Sequence, residues 1–362
     1  MKTPTSSRQM KKNHIILVSV KNGPFIRKDI EMLEEQQYHV DAFFMEKTKG
    51  LDMIFSQIRL LGFLLLNVCK ARAIIVWFVD YHAFLPSIMG KLFNKKVLAL
   101  VGGFDAVALP SFRYGVFYKR NFRSWIVRHA YKMADYILPV HESLIEGINY
   151  YADPAGKGFK TGVRSYVKGV RGEFHALPTG YNPDFWKVNP TEARKGVVTI
   201  ASIKSLRTFQ IKGIDLIYEI AAQMPDVPFT VIGVSGKLHE ELRSRAPENV
   251  ELKGFVDHPA LPQHLSRYKV YAQLSLTEGL PNALCEAMLC ECIPVGSDVN
   301  GIPYAIGDAG FILKKRDPHR GAEIIEKALN SDEKLGKEAR QRIRNLFPVE
   351  ARKNKLTEIL EK

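Results

Sequence analysis

The sequence predicts an α/β protein with two parallel β-sheets, each covered by helices on both faces. The chain has 362 residues. This is more than one hydrophobic core usually organises, so two domains of roughly 150 to 200 residues are expected. Continuous apolar runs alternate with helical patterns, as in parallel sheets whose strands are buried on both faces. The alternation is interrupted at residues 180–196, where Pro and Gly residues predict a linker.

The first domain opens with the apolar run "HIILVSV" at residues 14–20, which predicts a buried parallel strand. Residues 21–25 turn the chain, residues 26–37 have a helical period, and residues 38–45 form a second strand. Because strand-helix-strand connections are right-handed, the strands are expected to build one doubly wound sheet. The further strands predicted in this domain are residues 73–79, 96–102, 136–140 and 174–180.

The same alternation restarts after the linker. Residues 213–224, "GIDLIYEIAAQM", have a helical pattern between two apolar runs. In sheets of this type ligands bind at the carboxyl ends of the strands, so the loops that follow the strands are the expected location of functional residues. The strands predicted here are residues 197–202, 229–234, 250–256, 270–276, 292–297 and 310–313.

These patterns divide the chain into four expected parts. Residues 1–13 are polar and basic and predict a disordered tail. Residues 14–185 and residues 186–345 are predicted to form an N-terminal and a C-terminal Rossmann-like domain, and residues 346–362 a last helix.

The longest apolar stretch runs from Ile58 to Val79. Arg59, Lys70 and Arg72 interrupt it, whereas a membrane-spanning helix needs about 20 nearly uncharged residues. We expect a buried helix followed by a buried strand, and a monotopic contact with a membrane stays open as an alternative.

Positive charge is concentrated in the first half of the chain. The net charge of the whole chain is +14, and 27 Lys and Arg against 15 Asp and Glu give residues 1–187 a net charge of +12. A basic face with aromatic side chains suits an anionic membrane surface or a polyanionic acceptor. Nucleic acid is a weaker alternative because the sequence has no motif for binding it, and a solvated helix with a core-facing stripe is the simplest explanation. Between Asp105 and Asp135 the basic residues Arg113, Lys119, Arg120, Arg123, Arg128 and Lys132 alternate with Phe112, Tyr114, Phe117, Tyr118, Phe122 and Trp125.

The four cysteines, Cys69, Cys285, Cys290 and Cys292, are too few and too clustered for a disulfide framework. No secretory segment opens the sequence, so a reducing, cytoplasmic setting is expected. Cys285, Cys290 and Cys292 lack a Cys-x-x-Cys pair and the histidines are remote in sequence, which favours buried apolar residues over metal ligands. No metal site is predicted.

The stretch "TEGLPNALCEAM" places two glutamates around a strand-to-helix junction. Pro281 and Asn282 favour a helix start, so Glu278 is expected at the strand end and Glu286 about one turn into the helix. The helix dipole alone would explain an acid in this turn. However, free backbone N–H groups can hold an anion, and carboxylates accept hydrogen bonds from vicinal hydroxyls. A nucleotide-sugar offers both features.

The longer segment from Thr277 to Leu313 resembles the signature of family 4 glycosyltransferases, two glutamates separated by seven residues. The resemblance includes "EGLPNALCEAM", the following "IPVGS" strand and the downstream "GIPYAI". It implies a retaining enzyme of the GT-B fold, with two Rossmann-like domains facing across a cleft. The acceptor would bind the first domain and the donor the second, and the last helix would cross back to the first domain.

The resemblance also implies roles for residues of the second domain. Glu286 would bind the ribose hydroxyls and Glu278 the hydroxyls of the donor sugar. Lys212 and Arg207 would stabilise the leaving diphosphate, with Lys204 as an alternative to Arg207. Residues implied to line the sugar and diphosphate are Gly279, Leu280, Pro281 and Asn282, and those implied to contact the base are Gly254 and Val256.

In the first domain, Gly23 occupies the position of the family's glycine-containing first loop, where the backbone approaches both substrates. Many members carry a histidine near the transferred sugar where this chain has Gly102, Gly103 and Asp105. Gly103 and Asp105 are therefore candidate acceptor or cleft residues. His141 is a further candidate, although a lone histidine is more often structural.

The predicted function is transfer of a sugar from a nucleotide-sugar donor to a hydroxyl of a lipid-linked or cell-surface polysaccharide acceptor. The enzyme would be a hexosyltransferase that needs neither metal nor cofactor and works in the cytoplasm. A peripheral position on the inner face of the membrane stays open. The alternatives are a non-catalytic sugar-nucleotide-binding scaffold and a sugar-nucleotide epimerase of the same fold.

Overall fold

The computed structural model describes residues 13–46, 50–188, 193–234, 236 and 238–362. The predicted tail lies outside these residues except for Asn13. The chain forms two compact units: unit 1 comprises residues up to Gly147, Lys160–Pro178 and Glu350–Lys362, and unit 2 comprises Ile148–Phe159 and Thr179–Val349. The units differ from the predicted ranges, since residues 148–159 and 179–185 cluster with the second unit.

Unit 1 contains one parallel sheet of six strands in the order β2-β1-β3-β4-β5-β8. Its centre is apolar: Ile15, Leu17 and Leu98 are fully buried. The strands are β1 (His14–Ser19), β2 (His39–Phe44), β3 (Ala71–Trp77), β4 (Lys96–Val101), β5 (Tyr136–Pro139) and β8 (Glu173–Phe174). The α-helices are α1 (Pro24–Glu35), α2 (Gly50–Asn67), α3 (Phe84–Leu92), α4 (Phe122–Met133) and α5 (Val163–Tyr166), and most of α14 (Val349–Glu361) also belongs to this unit.

Unit 2 contains a second parallel sheet of six strands in the order β11-β10-β9-β12-β13-β14. The two sheets confirm the predicted fold class. The strands are β9 (Val197–Ile203), β10 (Phe229–Val234), β11 (Val250–Lys253), β12 (Val270–Gln273), β13 (Ile293–Ser297) and β14 (Phe311–Leu313). The helices are α6 (Leu206–Ile211), α7 (Ile214–Ala221), α8 (Leu238–Arg243), α9 (Leu261–Leu265), α10 (Asn282–Leu289), α11 (Ile302–Ile306), α12 (Pro318–Asn330) and α13 (Glu333–Leu346).

Two features of the first half of the chain differ from the predicted strands. The strand expected at residues 174–180 is confined to β8, of which only Phe174 lies in the apolar run, although His175 N and Leu177 N still donate to Ile137 O and Pro139 O at 3.1 and 2.7 Å. The sequence pattern also contains no signal for the short strands β6 (Gly147–Asn149) and β7 (Phe159–Thr161), which form a two-stranded sheet.

The long apolar stretch forms a helix and a strand, but the helix is not buried as expected. Strand β3 is almost fully buried. Helix α2 buries Ser56, Leu60 and Leu64, whereas its opposite face is exposed to solvent. Apolar residues occupy both faces, so the sequence pattern cannot distinguish a core helix from one with an uncovered side.

A buried ion pair attaches the last helix to unit 1. Arg352 of α14 donates two hydrogen bonds of 2.7 Å to the carboxylate of Asp29 on α1, and both side chains are nearly inaccessible to solvent. Trp77 Nε1 also donates to Asp29, at 2.8 Å, and Arg352 donates to the carbonyl oxygens of Leu177 and Pro178. Every charge is therefore hydrogen-bonded, as a buried pair requires.

We predict that Arg352→Met destabilises unit 1 by about 3 to 5 kcal/mol, because it leaves the Asp29 carboxylate buried without its counter-ion. The matched control is Lys353→Met on the same helix, whose partner Glu35 is mostly exposed. It should change the free energy of unfolding by no more than about 1 kcal/mol. Urea unfolding followed by tryptophan fluorescence measures both values. Equal stability of the two variants would contradict the assigned role of the pair.

Candidate functional site

The candidate site lies in unit 2, where β9 and β12 are neighbours and their connections lead in opposite directions along the sheet. Crevices at this type of switch point bind ligands beyond the carboxyl ends of the strands. Lys212 follows α6 and Glu278 follows β12, and the two meet with Lys212 Nζ 2.6 Å from Glu278 Oε1. Two of the predicted site residues thus form an ion pair.

Glu278 is held in place by further donors. Its Oε1 atom accepts a hydrogen bond of 2.8 Å from Ser275 Oγ and one of 3.3 Å from Gln273 Nε2. The side chain is 11% exposed, which leaves it partly open to solvent. Three donors on one carboxylate oxygen fix the direction of the group, so Gln273 and Ser275 are positioning residues that the sequence analysis did not identify.

A close backbone approach places Lys212 beside Glu278. Gly213 has a φ of +69°, and a Cβ atom at this position would lie 2.0 Å from the carbonyl oxygen of Leu274. Next to it, Leu276 N donates to Ile211 O at 2.8 Å. Only glycine combines this left-handed conformation with this contact, so the turn that carries Lys212 is fixed against the end of β12.

Helix α10 begins beside Glu278 with an N-terminus that its cap residue leaves open. Pro281 is the N-cap and makes no side-chain capping hydrogen bond. Asn282 Oδ1 instead accepts hydrogen bonds of 2.7 Å from Thr179 Oγ1 and from Tyr181 Oη. Gly279, Leu280 and Pro281 are buried beneath this turn. Backbone N–H groups at such a helix start can hold an anion.

Glu286 lies in the second turn of α10 and is 14% exposed. His258 Nε2 is 3.7 Å from its Oε1 atom, and the His258 ring stacks on Phe185 with ring centroids 5.1 Å apart. Trp186 meets the same ring edge-on at 5.1 Å. His258 is a functional candidate that the sequence analysis missed, although it lies only two residues beyond Val256.

The predicted base-contacting segment follows β11. Gly254 is exposed, Val256 is half-buried and Phe255 between them is 80% exposed. His258 belongs to the same segment and reaches Glu286, so the structure brings this loop to the carboxylate predicted to hold the ribose.

Arg207 and Lys204 are the two candidates for the second cation. Helix α6 lies in this segment, and Ser205 and Thr208 start it with reciprocal side-chain-to-backbone hydrogen bonds. Arg207 is exposed on this helix and Lys204 is exposed just before it. In the sequence, Arg207 and Lys204 lie five and eight residues before Lys212.

In unit 1, Gly23 is the N-cap of α1 at the carboxyl end of β1. Its φ of −85° is accessible to any residue. A Cβ atom would lie 3.3 Å from the Phe25 ring, so the space above this helix start is limited by a side chain. The helix N-terminus here is the feature able to receive an anionic group.

Asp105 does not line a cleft as expected. It is 1% exposed, and its carboxylate accepts hydrogen bonds from the backbone N–H groups of Val79, Gly102 and Gly103. Burial raises the pKa of Asp105 to about 6, against the opposing effect of these hydrogen bonds. Asp105 therefore ties together the ends of β3 and β4, and Gly103, with a φ of +137°, forms the turn that allows this.

His141 also has a structural contact. It caps the short helical turn at residues 142–144, with its Nδ1 atom accepting a hydrogen bond of 3.2 Å from Ser143 N. Burial lowers the pKa of His141. With Nδ1 as acceptor, the neutral ring carries its proton on Nε2.

The basic and aromatic stretch does not form the continuous cationic face that its sequence suggested. Arg123 pairs with Asp80 and its guanidinium lies 5.0 Å from the centre of the Phe104 ring. Arg128 donates to Tyr166 O and lies over the Phe117 ring. These two arginines hold unit 1 together. The exposed cations of the stretch are Arg113, Lys119, Arg120 and Lys132.

Three cysteines and one further group of polar side chains complete the candidate metal ligands. Cys285, Cys290 and Cys292 are buried, as predicted. Within the described part of the chain, the group able to hold a metal ion is His14, His39 and Asp41. It lies at the amino ends of β1 and β2, opposite the strand ends where ligands of such sheets bind.

Part of unit 2 matches a family of known proteins. Residues 195–331, which contain Lys212, Glu278 and Glu286, match the model of a family described as glycosyl transferases group 1. A phosphatidylinositol N-acetylglucosaminyltransferase subunit of Arabidopsis thaliana is 29% identical over 163 residues, which cover 42% of this chain and 36% of that protein. The chain spans about a third of the length of the curated relatives it matches.

Solved structures share the fold over nearly the whole chain. Sucrose-phosphate synthase from Thermosynechococcus elongatus superposes with a TM-score of 0.73 at 17% identity, covering 96% of this chain and 98% of that one. HepE of Anabaena, in complex with UDP and glucose, gives a TM-score of 0.70 at 16% identity, covering 97% and 99%. At these identities the likeness shows the fold, which is that of the GT-B glycosyltransferases.

We predict that Gly213→Ala destabilises unit 2 by clearly more than Gly156→Ala. Gly156 belongs to the same unit and has a similar φ of +71°, but no atom of the described residues would lie within 4 Å of its Cβ. Both variants incur the strain of a left-handed residue, about 1 to 2 kcal/mol. Gly213→Ala in addition forces Leu274 away from Lys212. Urea unfolding measures the difference, and equal losses would show that the contact with Leu274 does not matter.

Proposed function

We propose that this chain, a member of the GT-B glycosyltransferase superfamily, transfers a sugar from a nucleotide-sugar to a hydroxyl group of a lipid-linked acceptor. One observation carries the proposal: Lys212 and Glu278 form an ion pair of 2.6 Å beside the start of α10, with Glu286 on the same helix. The arrangement offers one cation, two carboxylates and an open helix N-terminus. These groups match the diphosphate and the two hydroxyl-bearing rings of a nucleotide-sugar.

Each group has a task in the proposed donor complex. Glu286, beside His258 at 3.7 Å, accepts hydrogen bonds from the ribose hydroxyls. Glu278, oriented by Ser275 and Gln273, accepts them from the donor sugar. The backbone of Gly279, Leu280, Pro281 and Asn282 lines the sugar and diphosphate, and Gly254 and Val256 contact the base. Gly23 of unit 1 is a further candidate donor-binding residue. The HepE structure, which contains UDP and glucose, supports a uridine nucleotide as the first donor to test.

The reaction retains the configuration of the transferred sugar and needs no metal ion or cofactor. As the bond to the sugar breaks, negative charge develops on the diphosphate, and Lys212 together with Arg207 or Lys204 stabilises it. The incoming hydroxyl attacks from the face that the diphosphate leaves and gives its proton to a donor phosphate oxygen. Neither glutamate then has to act as a general base, and orientation supplies much of the rate.

The proposed acceptor is lipid-linked, and the location is the cytoplasm, at the inner face of a membrane. The matched relatives are named as phosphatidylinositol N-acetylglucosaminyltransferase subunits, which supports an acceptor with a lipid anchor and a hydroxylated headgroup. The net charge of +12 over residues 1–187 favours attraction to an anionic surface. A lipid-linked precursor of a cell-surface polysaccharide is the acceptor class we expect.

We predict that a nucleoside diphosphate stabilises the protein and that Lys212→Met weakens transfer. A ligand at about 100 times its Kd stabilises a protein by about 2.7 kcal/mol, so thermal unfolding with UDP, GDP and ADP identifies the base. Loss of one stabilising group lowers kcat by on the order of 10² to 10³-fold. The control is Lys334→Met, which removes a lysine on α13 that is 80% exposed.

Three results separate this proposal from its alternatives. Nucleotide binding without transfer to any lipid or glycan acceptor indicates a scaffold. Conversion of the donor sugar in the absence of an acceptor indicates an epimerase. Wild-type transfer by Glu286→Ala contradicts the assigned donor site.

We further predict that EDTA leaves transfer unchanged, because a lysine rather than a divalent cation offsets the developing charge. Initial rates before and after dialysis against EDTA measure this. A loss of activity that Mg²⁺ or Mn²⁺ restores overturns the metal-independent mechanism. If the His39→Ala variant has lost the same activity without EDTA, the metal dependence belongs to the group His14, His39 and Asp41.

A further inference from the structure

Helix α2 carries a continuous apolar surface that no described part of unit 1 covers. Its exposed large apolar residues fall within an arc of about 140° when placed at about 100° per residue. We call this surface the outward stripe. It consists of Leu51, Ile54, Phe55, Ile58, Leu61, Leu65 and Leu66, which are 38% to 75% exposed. Single exposed apolar residues are ordinary in soluble proteins, but a contiguous group of this size marks a binding surface.

Further exposed apolar residues lie on the two helices that share this face of the sheet. The connections that contain α2, α3 and α4 all lead in one direction along the sheet, so right-handed crossovers place these helices on one face of it. At the end of α3, Leu92 is 72% exposed. On α4, Phe122 and Trp125 are 69% and 47% exposed and their rings stack. Of the 17 exposed large apolar residues in the described part of the chain, 11 lie on or beside these helices.

Charged residues around this surface indicate what covers it. Arg59 and Lys70 flank the outward stripe, and Lys119 and Arg120 precede α4; all four are exposed. A protein interface is depleted in lysine, whereas a surface that binds lipid combines basic residues with apolar and tryptophan side chains at the level of the headgroups. The composition therefore favours an anionic lipid surface over a protein partner.

The fold is compatible with α2 lying on a membrane but not with α2 crossing one. The helix is long and apolar enough to span by composition alone, with a mean hydropathy of 1.3 over 18 residues. However, it connects β2 and β3, which pair with opposite sides of β1 in one parallel sheet. Its inner face is packed, with Leu60 and Leu64 fully buried. A spanning helix would have to abandon these contacts, whereas a helix in the interface keeps them.

We propose that unit 1 binds an anionic membrane through the outward stripe of α2, with α2 lying in the plane of the interface and Trp125 at the headgroups. The proposal gives the lipid-linked acceptor of the proposed function a surface to be presented on. Only this link to the acceptor rests on the proposed function, because lipid binding is measured without any transfer reaction. It also assigns the contact to α2 rather than to Arg123 and Arg128, which are engaged within unit 1.

The test is flotation of the full chain with vesicles of phosphatidylcholine and phosphatidylglycerol in a three-to-one ratio. Phe55→Gln with Ile58→Gln removes two residues of the outward stripe. The matched control is Tyr150→Gln with Ile148→Gln, an aromatic and an isoleucine of similar exposure that lie elsewhere on the chain. We expect the first variant to bind at least ten-fold less protein to vesicles and the control to bind as wild type. Equal binding by both overturns the proposal.

Tryptophan fluorescence provides a second measurement. Of the three tryptophans, Trp77 and Trp186 are buried and Trp125 is exposed. Vesicles should shift the emission of the wild type to shorter wavelength, and lipids brominated near the headgroup should quench it. Trp125→Phe should abolish both effects and leave flotation largely intact. Unchanged emission during full vesicle binding overturns the placement of α4 at the headgroups.

Other occupants of the surface give different results. A dimer that Phe55→Gln with Ile58→Gln dissociates, without binding of the wild type to vesicles, assigns the surface to a second copy and overturns the proposal. Protein that resists extraction from vesicles by alkaline carbonate spans the bilayer, which also overturns it.

The two proposals fail separately. Phe55→Gln with Ile58→Gln should retain transfer to a detergent-solubilised acceptor and lose it on vesicles. Glu278→Gln should bind vesicles as wild type and lose transfer in both assays. Vesicle binding without any transfer activity leaves the lipid surface in place and removes only the proposed function.

Discussion

The contact between Gly213 and the carbonyl oxygen of Leu274 is the constraint on which the candidate site depends. Parallel strands bring their carboxyl ends to one edge, but this alone does not bring side chains within hydrogen-bonding distance. The left-handed turn at Gly213 and the hydrogen bond from Leu276 N to Ile211 O fix the Lys212 turn against the end of β12. Glu278, four residues beyond Leu274, then lies 2.6 Å from the Lys212 ammonium group. A short backbone contact therefore determines where the charges of the site meet.

The ion pair has a consequence for binding. Lys212 and Glu278 are 28% and 11% exposed, so each would lose much of its hydration without the other. Glu278 keeps two further donors, Ser275 and Gln273, whereas the ammonium group can turn towards a phosphate. A bound diphosphate would compete with Glu278 for Lys212, and the sugar hydroxyls would replace the lysine as donors to Glu278. The pair thus keeps both groups satisfied before the donor binds and leaves both suited to it.

The sequence predicts the parts of this structure that depend on local pattern. Apolar runs locate the strands to within a few residues, and Pro281 with Asn282 correctly marks the start of α10. It fails where tertiary contacts decide the outcome. Asp105 resembles a polar residue at a strand end, but backbone N–H groups surround it inside unit 1. His258 reaches Glu286 from another strand's loop, and no spacing in the sequence links the two.

The largest difference between the sequence prediction and the structure concerns the exposed surface of helix α2 rather than the candidate site. In a helix with one apolar face, the sequence pattern indicates which side is buried. Helix α2 is apolar on all sides, and this pattern is expected for a helix that is buried on every side. The sheet order shows that one side packs against unit 1, and no described residue covers the other. Both ends of the helix continue into one sheet, which favours a partner outside the described part of the unit for the second apolar side. The exposed lysines and arginines around it then favour a phospholipid surface, where apolar and basic groups are stabilised together.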